Sequence, residues 1–164
     1  PIAEIPFAKN EIQERLRNEQ ITGPVFSGTT DSGDRVIISA QAMKMGKKHN
    51  NEGNDIWAQI DLSSGNRVVL SSEKGIFDML EQRSTLQGNV VIATSTGYEI
   101  TTEALTANFQ TLALESPGSV VATGPIGTFN AGKMRLVRRN NKESAHLIFT
   151  NGVKLVYRPR HTKE

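Results

Sequence analysis

Three histidines, no cysteine and a scatter of carboxylates are what this chain of 164 residues offers to reactive chemistry. His49, His146 and His161 lack the spacing that brings imidazoles onto one metal, and His49 and His161 stand in polar segments. That pattern reads as surface histidines. Asp31 and Asp34 lie in Asp-Ser-Gly-Asp, and Asp61 precedes Leu-Ser-Ser-Gly; in such turns a carboxylate caps backbone N–H groups. A hydrolytic pair needs two carboxyls about 5–9 Å apart across a substrate, and the sequence singles out no such pair. It holds no nucleophile elbow, phosphate loop or dinucleotide fingerprint. Without cysteine there is no thiol nucleophile, thiolate metal site or disulfide framework. On this reading the chain is not an enzyme and requires no cofactor and no metal.

Charge narrows the partners. A formal charge of +2 falls far short of a nucleic-acid-binding domain, and no aromatics are interleaved with the basic residues to stack bases. Lys44, Lys47 and Lys48 belong to the polar stretch 44–54, which reads as a loop. Lys133, Arg135, Arg138, Arg139 and Lys142 run along one hairpin arm and read as a solvated strand face. Attraction to an anionic partner such as lipid phosphates is the functional alternative for both clusters.

The elements that carry these residues are β-strands. Residues 10–20 alone carry a helical pattern, with Ile12 and Leu16 four apart among charges and Asn10 as N-cap. From Ile21 onward the apolar period is two. Val36, Ile38 and Ala40 alternate with Arg35, Ile37 and Ser39, and Ile56, Ala58, Ile60 and Leu62 alternate with Trp57, Gln59 and Asp61. Leu86, Val90 and Ile92 share a parity across Gly88, while Leu147, Phe149, Val153, Leu155 and Tyr157 read as one face of a final strand pair. Turn signals recur about every ten residues, the cadence of a sandwich or jelly roll. The chain also echoes itself. Residues 57–78 align with 109–130 at an offset of 52, with identities Leu62/Leu114, Val68/Val120, Val69/Val121, Gly75/Gly127 and Phe77/Phe129. Residues 86–90 resemble 149–153. Such self-similarity predicts stacked supersecondary units and an all-β fold.

Certain of these runs resemble a known family. Ile-Thr-Gly-Pro-Val-Phe-Ser-Gly at 21–28, followed by Arg-Val-Ile-Ile-Ser-Ala-Gln-Ala at 35–42, is similar to the first strands of LptC, the inner-membrane-anchored component of the lipopolysaccharide transport bridge. Gly-Ile-Phe-Asp at 75–78, Leu-Gln-Gly-Asn-Val-Val-Ile at 86–92 and Gly-Tyr-Glu-Ile-Thr-Thr at 97–102 resemble strands shared by the LptA, LptC and OstA-like proteins. Residues 124–134 resemble the family's last turn before its C-terminal strands.

The resemblance implies an open, twisted β-jelly roll over residues 21–157, with 1–20 a juxtamembrane stalk and 158–164 a disordered tail. It implies a periplasmic protein anchored to the inner membrane by a transmembrane helix upstream of Pro1. Its partners would be lipopolysaccharide, an inner-membrane ABC transporter complex on the N-terminal side and an LptA-like bridge protein on the C-terminal side. Lipid would lie against interior positions Val36, Ile38, Ile60, Leu62, Phe77, Val90, Ile92, Leu105, Phe109, Phe129, Leu147 and Phe149. Gly152, Val153, Lys154, Leu155, Val156 and Tyr157 would form the docking edge. Three other readings stay open: an LptA-like soluble bridge protein, a structural β-repeat module that binds only proteins, and a sugar-acting enzyme. The stalk pattern and the Gly-Pro-Val-Phe-Ser-Gly run favour LptC over LptA.

Overall fold

The computed structural model describes residues 21–46, 50–78, 80–138 and 145–157, and the regular elements among them are all β-strands. The expected helix at 10–20, the tail at 158–164 and Lys47, Lys48, His49, Arg139 and Lys142 lie outside the described residues. In chain order the strands are β1 (Ile21–Thr22), β2 (Val25–Thr29), β3 (Arg35–Ser39), β4 (Ala42–Met45), β5 (Asn50–Asp61), β6 (Arg67–Asp78), β7 (Arg83–Thr94), β8 (Glu99–Asn108), β9 (Ala113–Glu115), β10 (Val120–Gly124), β11 (Gly127–Ala131), β12 (Lys133–Val137), β13 (His146–Thr150) and β14 (Lys154–Tyr157). Neighbours pair antiparallel throughout.

The long strands β5 to β8 bend, and the bend makes one open sheet into two facing limbs. One limb runs β2-β3-β5-β6-β7-β8-β10-β11-β14 and uses the stretches of β5–β8 around Ile60, Leu70, Ile92 and Ile100. The other runs β1-β4-β5-β6-β7-β8-β9-β12-β13 and uses the stretches around Asn51, Phe77, Leu86 and Leu105. Between the limbs β7 carries one residue more than either neighbour, at Gly88–Asn89, where φ is 82° and 45°. A bulge bends a strand without ending it. Glu73 of β6 braces the bend: its carboxylate accepts from Asn89 Nδ2 at 2.7 Å and occupies the space that a Cβ on Gly88 would need. Around the bend the inward parity flips, from Ser72 to Gly75 in β6 and from Thr102 to Leu105 in β8. Both limbs therefore keep an apolar face inward. Together they form an open β-jelly roll.

Ile60, Leu70, Leu86, Val90, Ile92, Ile100, Leu105, Leu112, Leu114 and Met134 fill the space between the limbs with essentially no exposure. Burial of each contributes about 1.5–3 kcal/mol. The turns at the lip of the first limb repeat. Thr30, Leu62 and Thr94 donate their N–H to the carbonyls of Asp34, Asn66 and Tyr98 at 2.8–2.9 Å, with Gly33, Gly65 and Gly97 at φ 87°, 101° and 98°. At the other lip, Asp78 and Asn108 each accept two backbone N–H groups through Oδ1, and Gln82 and Leu112 take φ 54° and 58°.

Four expectations need correction. The 52-residue echo does not superpose one unit on another: Val68 and Val120 both open buried strands, but Trp57 lies in β5 where Phe109 lies in a turn. The structural period is the 32 residues between the glycine turns. Most of the expected loop at 44–54 is strand, since β4 reaches Met45 and β5 begins at Asn50; pairing on both sides overrides the weak β-propensity of Asn-Asn-Glu-Gly-Asn. β13 and β14 are not a strand pair, because β13 pairs with β12 and β14 with β11. Asn151 and Gly152, at φ 61° and 83°, carry the chain across from one limb to the other, as Gly88 and Asn89 do in β7. Finally, Arg138 is not on a solvated face.

Candidate functional site

The limbs leave two apolar clefts. The first, of about 420 Å³, opens at the N-terminal end between Phe26, Ile38, Met43, Phe77 and Phe109, with Asp31, Asp78, Asn51 and Ser84 among its polar lining. The second, of about 560 Å³, opens at the C-terminal end between Leu62, Val68, Tyr98, Ile126, Phe129, Leu136, Leu147, Phe149 and Val153, with Arg67 and His146 in its wall. Phe129 and Phe149 meet edge to face there, ring centroids 4.7 Å apart. That arrangement suits the ring quadrupoles.

The twelve interior positions expected from the sequence fall into three groups. Ile38, Phe77 and Phe109 line the N-terminal cleft, and Leu62, Phe129, Leu147 and Phe149 line the C-terminal one. Val36, Ile60, Val90, Ile92 and Leu105 line neither and are core, with exposures between 0% and 5%. Strand parity alone could not separate these groups, since all of them point inward.

Between the clefts the two lips are fastened. Asp34, in the turn between β2 and β3, and Arg138, just past β12, form a bidentate pair at 2.7 and 2.9 Å. Their side chains are 0% and 4% exposed. Thr30 Oγ1 and the Ser63 N–H also donate to the Asp34 carboxylate. Burial alone would raise the Asp34 pKa; the hydrogen bonds from Arg138, Thr30 and Ser63 outweigh it and hold the carboxyl well below its usual range. The hydrogen bond to Asp34 moves Arg138 in the opposite direction, further into its charged form. Nearby, the Asp31 N–H donates to the Gln110 carbonyl at 2.9 Å, a second tie between the lips. Asp34 does not cap its own turn, where Thr30 Oγ1 accepts the Asp34 N–H; its carboxylate accepts from Ser63 in the next glycine turn, and its larger role is as partner to a residue 104 positions away. No sequence pattern announces that distance.

The basic residues of β12 itself are partnered, Lys133 half-buried and Arg135 exposed. Lys133 Nζ lies 2.8 Å from Glu115 and Arg135 Nε 4.0 Å from it, and Lys133 chiefly draws the Glu115 carboxyl below its ordinary pKa. No group of three metal-ligating side chains exists among the described residues. Among the described residues no helix is long and apolar enough to cross a membrane.

The expected docking edge divides at its crossing point. Gly152 and Val153 are exposed in the crossover, whereas residues 154–157 form β14, paired to β11 through Asn130↔Lys154, Phe129↔Leu155, Thr128↔Val156 and Gly127↔Tyr157. Its other side has no strand partner among the described residues. β13 is likewise paired on one side only. Sequence reasoning missed Asn51, Phe26, Met43 and the Asp34–Arg138 clasp. For Asn51 a signal existed: it stands at an inward position of what proves to be β5, a residue that a polar loop reading hides.

Residues 58–157 match the family model described as lipopolysaccharide-assembly, LptC-related. That is more than half of the chain, and the chain belongs to this family. No curated protein matches it.

Proposed function

We propose that this member of the LptC-related family is the periplasmic, inner-membrane-anchored station of the lipopolysaccharide bridge. It receives lipopolysaccharide from an ABC transporter complex on its N-terminal side and passes it to an LptA-like jelly roll on its C-terminal side. Membership of the family carries a role in lipopolysaccharide transport. The observation that supports the finer reading is the pair of apolar clefts at the two ends of one roll. Acyl chains enter such space at the expense of water, about 0.8 kcal/mol per buried CH₂. The free side of β14 supports the handover, because an unpaired strand offers main-chain donors and acceptors to a further strand.

Photo-crosslinking tests the lipid path. Groups at Ile38 and Phe129 should label lipopolysaccharide, groups at Gln59 and Asp61 should not, and a group at the sealed Ile60 should label weakly. Equal labelling at all five positions would mean surface adsorption and would sink an interior path. For the handover, proline is placed at Leu155 and at Val156 in turn. Successive N–H groups of a strand point to opposite sides, so one of the two removes a donor from the free side. Undiminished capture of an LptA-like partner by both folded variants would exclude this edge.

A further inference from the structure

Asn51 sits in β5 with 2% of its surface exposed, in the wall of the N-terminal cleft. Its Oδ1 is buried and receives no hydrogen bond. Native chains seldom bury an acceptor unpaired, so such a group marks either strain or a missing partner. Two strand registers locate it: Asn51 is opposite Phe77 in β6, and Phe77 is opposite Ser84 in β7. The row therefore sets a carboxamide and a hydroxyl on either side of an aromatic side chain, about 10 Å apart. All three line the cleft, and Phe26, Ile38 and Met43 surround them with apolar atoms. A chain that filled the cleft and carried one donor would satisfy the oxygen.

We infer that Asn51 is a specificity-determining residue of the N-terminal cleft. It selects an apolar chain bearing a hydroxyl or amide N–H over a plain hydrocarbon chain. The inference rests on the reading that this cleft holds an acyl chain. An apolar pocket barely discriminates a hydroxylated chain from a plain one, whereas a site with a waiting acceptor does.

The probes are dodecanoate and its monohydroxylated isomers, titrated below their micellar concentrations. Binding is read by displacement of a fluorescent fatty acid. At least one hydroxylated isomer should bind the wild-type domain about three- to tenfold more tightly than dodecanoate, the range of one neutral hydrogen bond. Asn51→Leu, close in size, should abolish that preference while binding dodecanoate at least as well as wild type. Nuclear magnetic resonance of the wild-type Asn51 side-chain amide provides a readout that needs no variant. Its signals should move further with the preferred isomer than with dodecanoate. Saturable binding of all chains with equal affinity, or a preference that survives in Asn51→Leu, would overturn the role of Asn51 and leave the cleft standing. Failure of every chain to displace the probe would overturn the cleft itself.

Discussion

The two clefts share apolar walls and differ in the charges beside them. Asp31 and Asp78 stand by the N-terminal cleft; Arg67, paired with Asp61, stands by the C-terminal one. An amphiphile with an anionic head is repelled by the two carboxylates and drawn toward the Arg67 guanidinium, over distances that salt limits to about 8–10 Å. Hydrocarbon burial alone would hold a chain equally at either end. The charge difference favours residence of the head at the C-terminal end. The other contrast is with the middle, where the Asp34–Arg138 clasp joins the lips.

The largest expected effect comes from breaking that divide. Arg138→Ala leaves the Asp34 carboxylate buried and unpaired, and should cost about 3–5 kcal/mol in urea unfolding. A cost below about 1 kcal/mol would mean that the lips are held by other contacts. The clasp also sets an acid sensitivity. Asp34 has a depressed pKa in the folded chain, so its contribution is fully present above the unfolded value of about 3.9 and is lost as pH falls below it. Stability should be flat with respect to this group from pH 7 to 5 and fall below about pH 4. The Arg138→Ala variant should show less of that fall.

Phe129→Ala is the next largest, about 3 kcal/mol, because it opens a cavity at a residue only 7% exposed and removes the contact with Phe149. Phe77→Ala at the half-buried N-terminal counterpart should cost about half as much. Equal costs would erase the distinction between a packed cleft and a looser one. Gly88→Ala should cost about 1–3 kcal/mol, since φ of 82° strains any side chain and Glu73 must move aside. It acts on the bend common to both limbs, so thermal unfolding should fall without a bias toward either cleft. The smallest effect on stability is Arg67→Ala. Its pair with Asp61 is exposed and worth no more than about 1 kcal/mol, so unfolding should barely change. Capture of an anionic amphiphile at the C-terminal cleft should nevertheless weaken, and its salt dependence should flatten. Unchanged capture would remove charge from the comparison.

The all-β class was legible from the period of two, whereas the likeness of 86–90 to 149–153, read as part of a repeat, concealed a shared kink. Both segments pair an Asn with a Gly, and both prove to be places where the chain crosses between limbs with two consecutive positive φ angles. The 52-residue alignment misled because it rewarded side-chain identity, such as Phe77 with Phe129, across positions in different limbs. The 32-residue period was present in Asp-Ser-Gly-Asp, Ser-Ser-Gly-Asn and Ser-Thr-Gly-Tyr. It was obscured because only the glycine and its small polar neighbours recur. Of the site, parity found the inward residues but not which of them the limbs leave uncovered, which depends on how far apart the lips stand. The partnership of Asp34 with Arg138 depends on closure of the whole roll and has no local signature.

Nine strands line each limb from the first edge to the last. Adjacent strands lie about 4.8 Å apart and rotate by about 20–25° relative to one another. Eight such steps advance about 40 Å and turn through roughly 160–200°. At that average twist the mouth of the roll would be a screw thread of about half a turn, with its two ends facing nearly opposite directions. Cargo that followed it would roll over as it advanced, and a successor docked in register would begin with its opening on the far side of the rod.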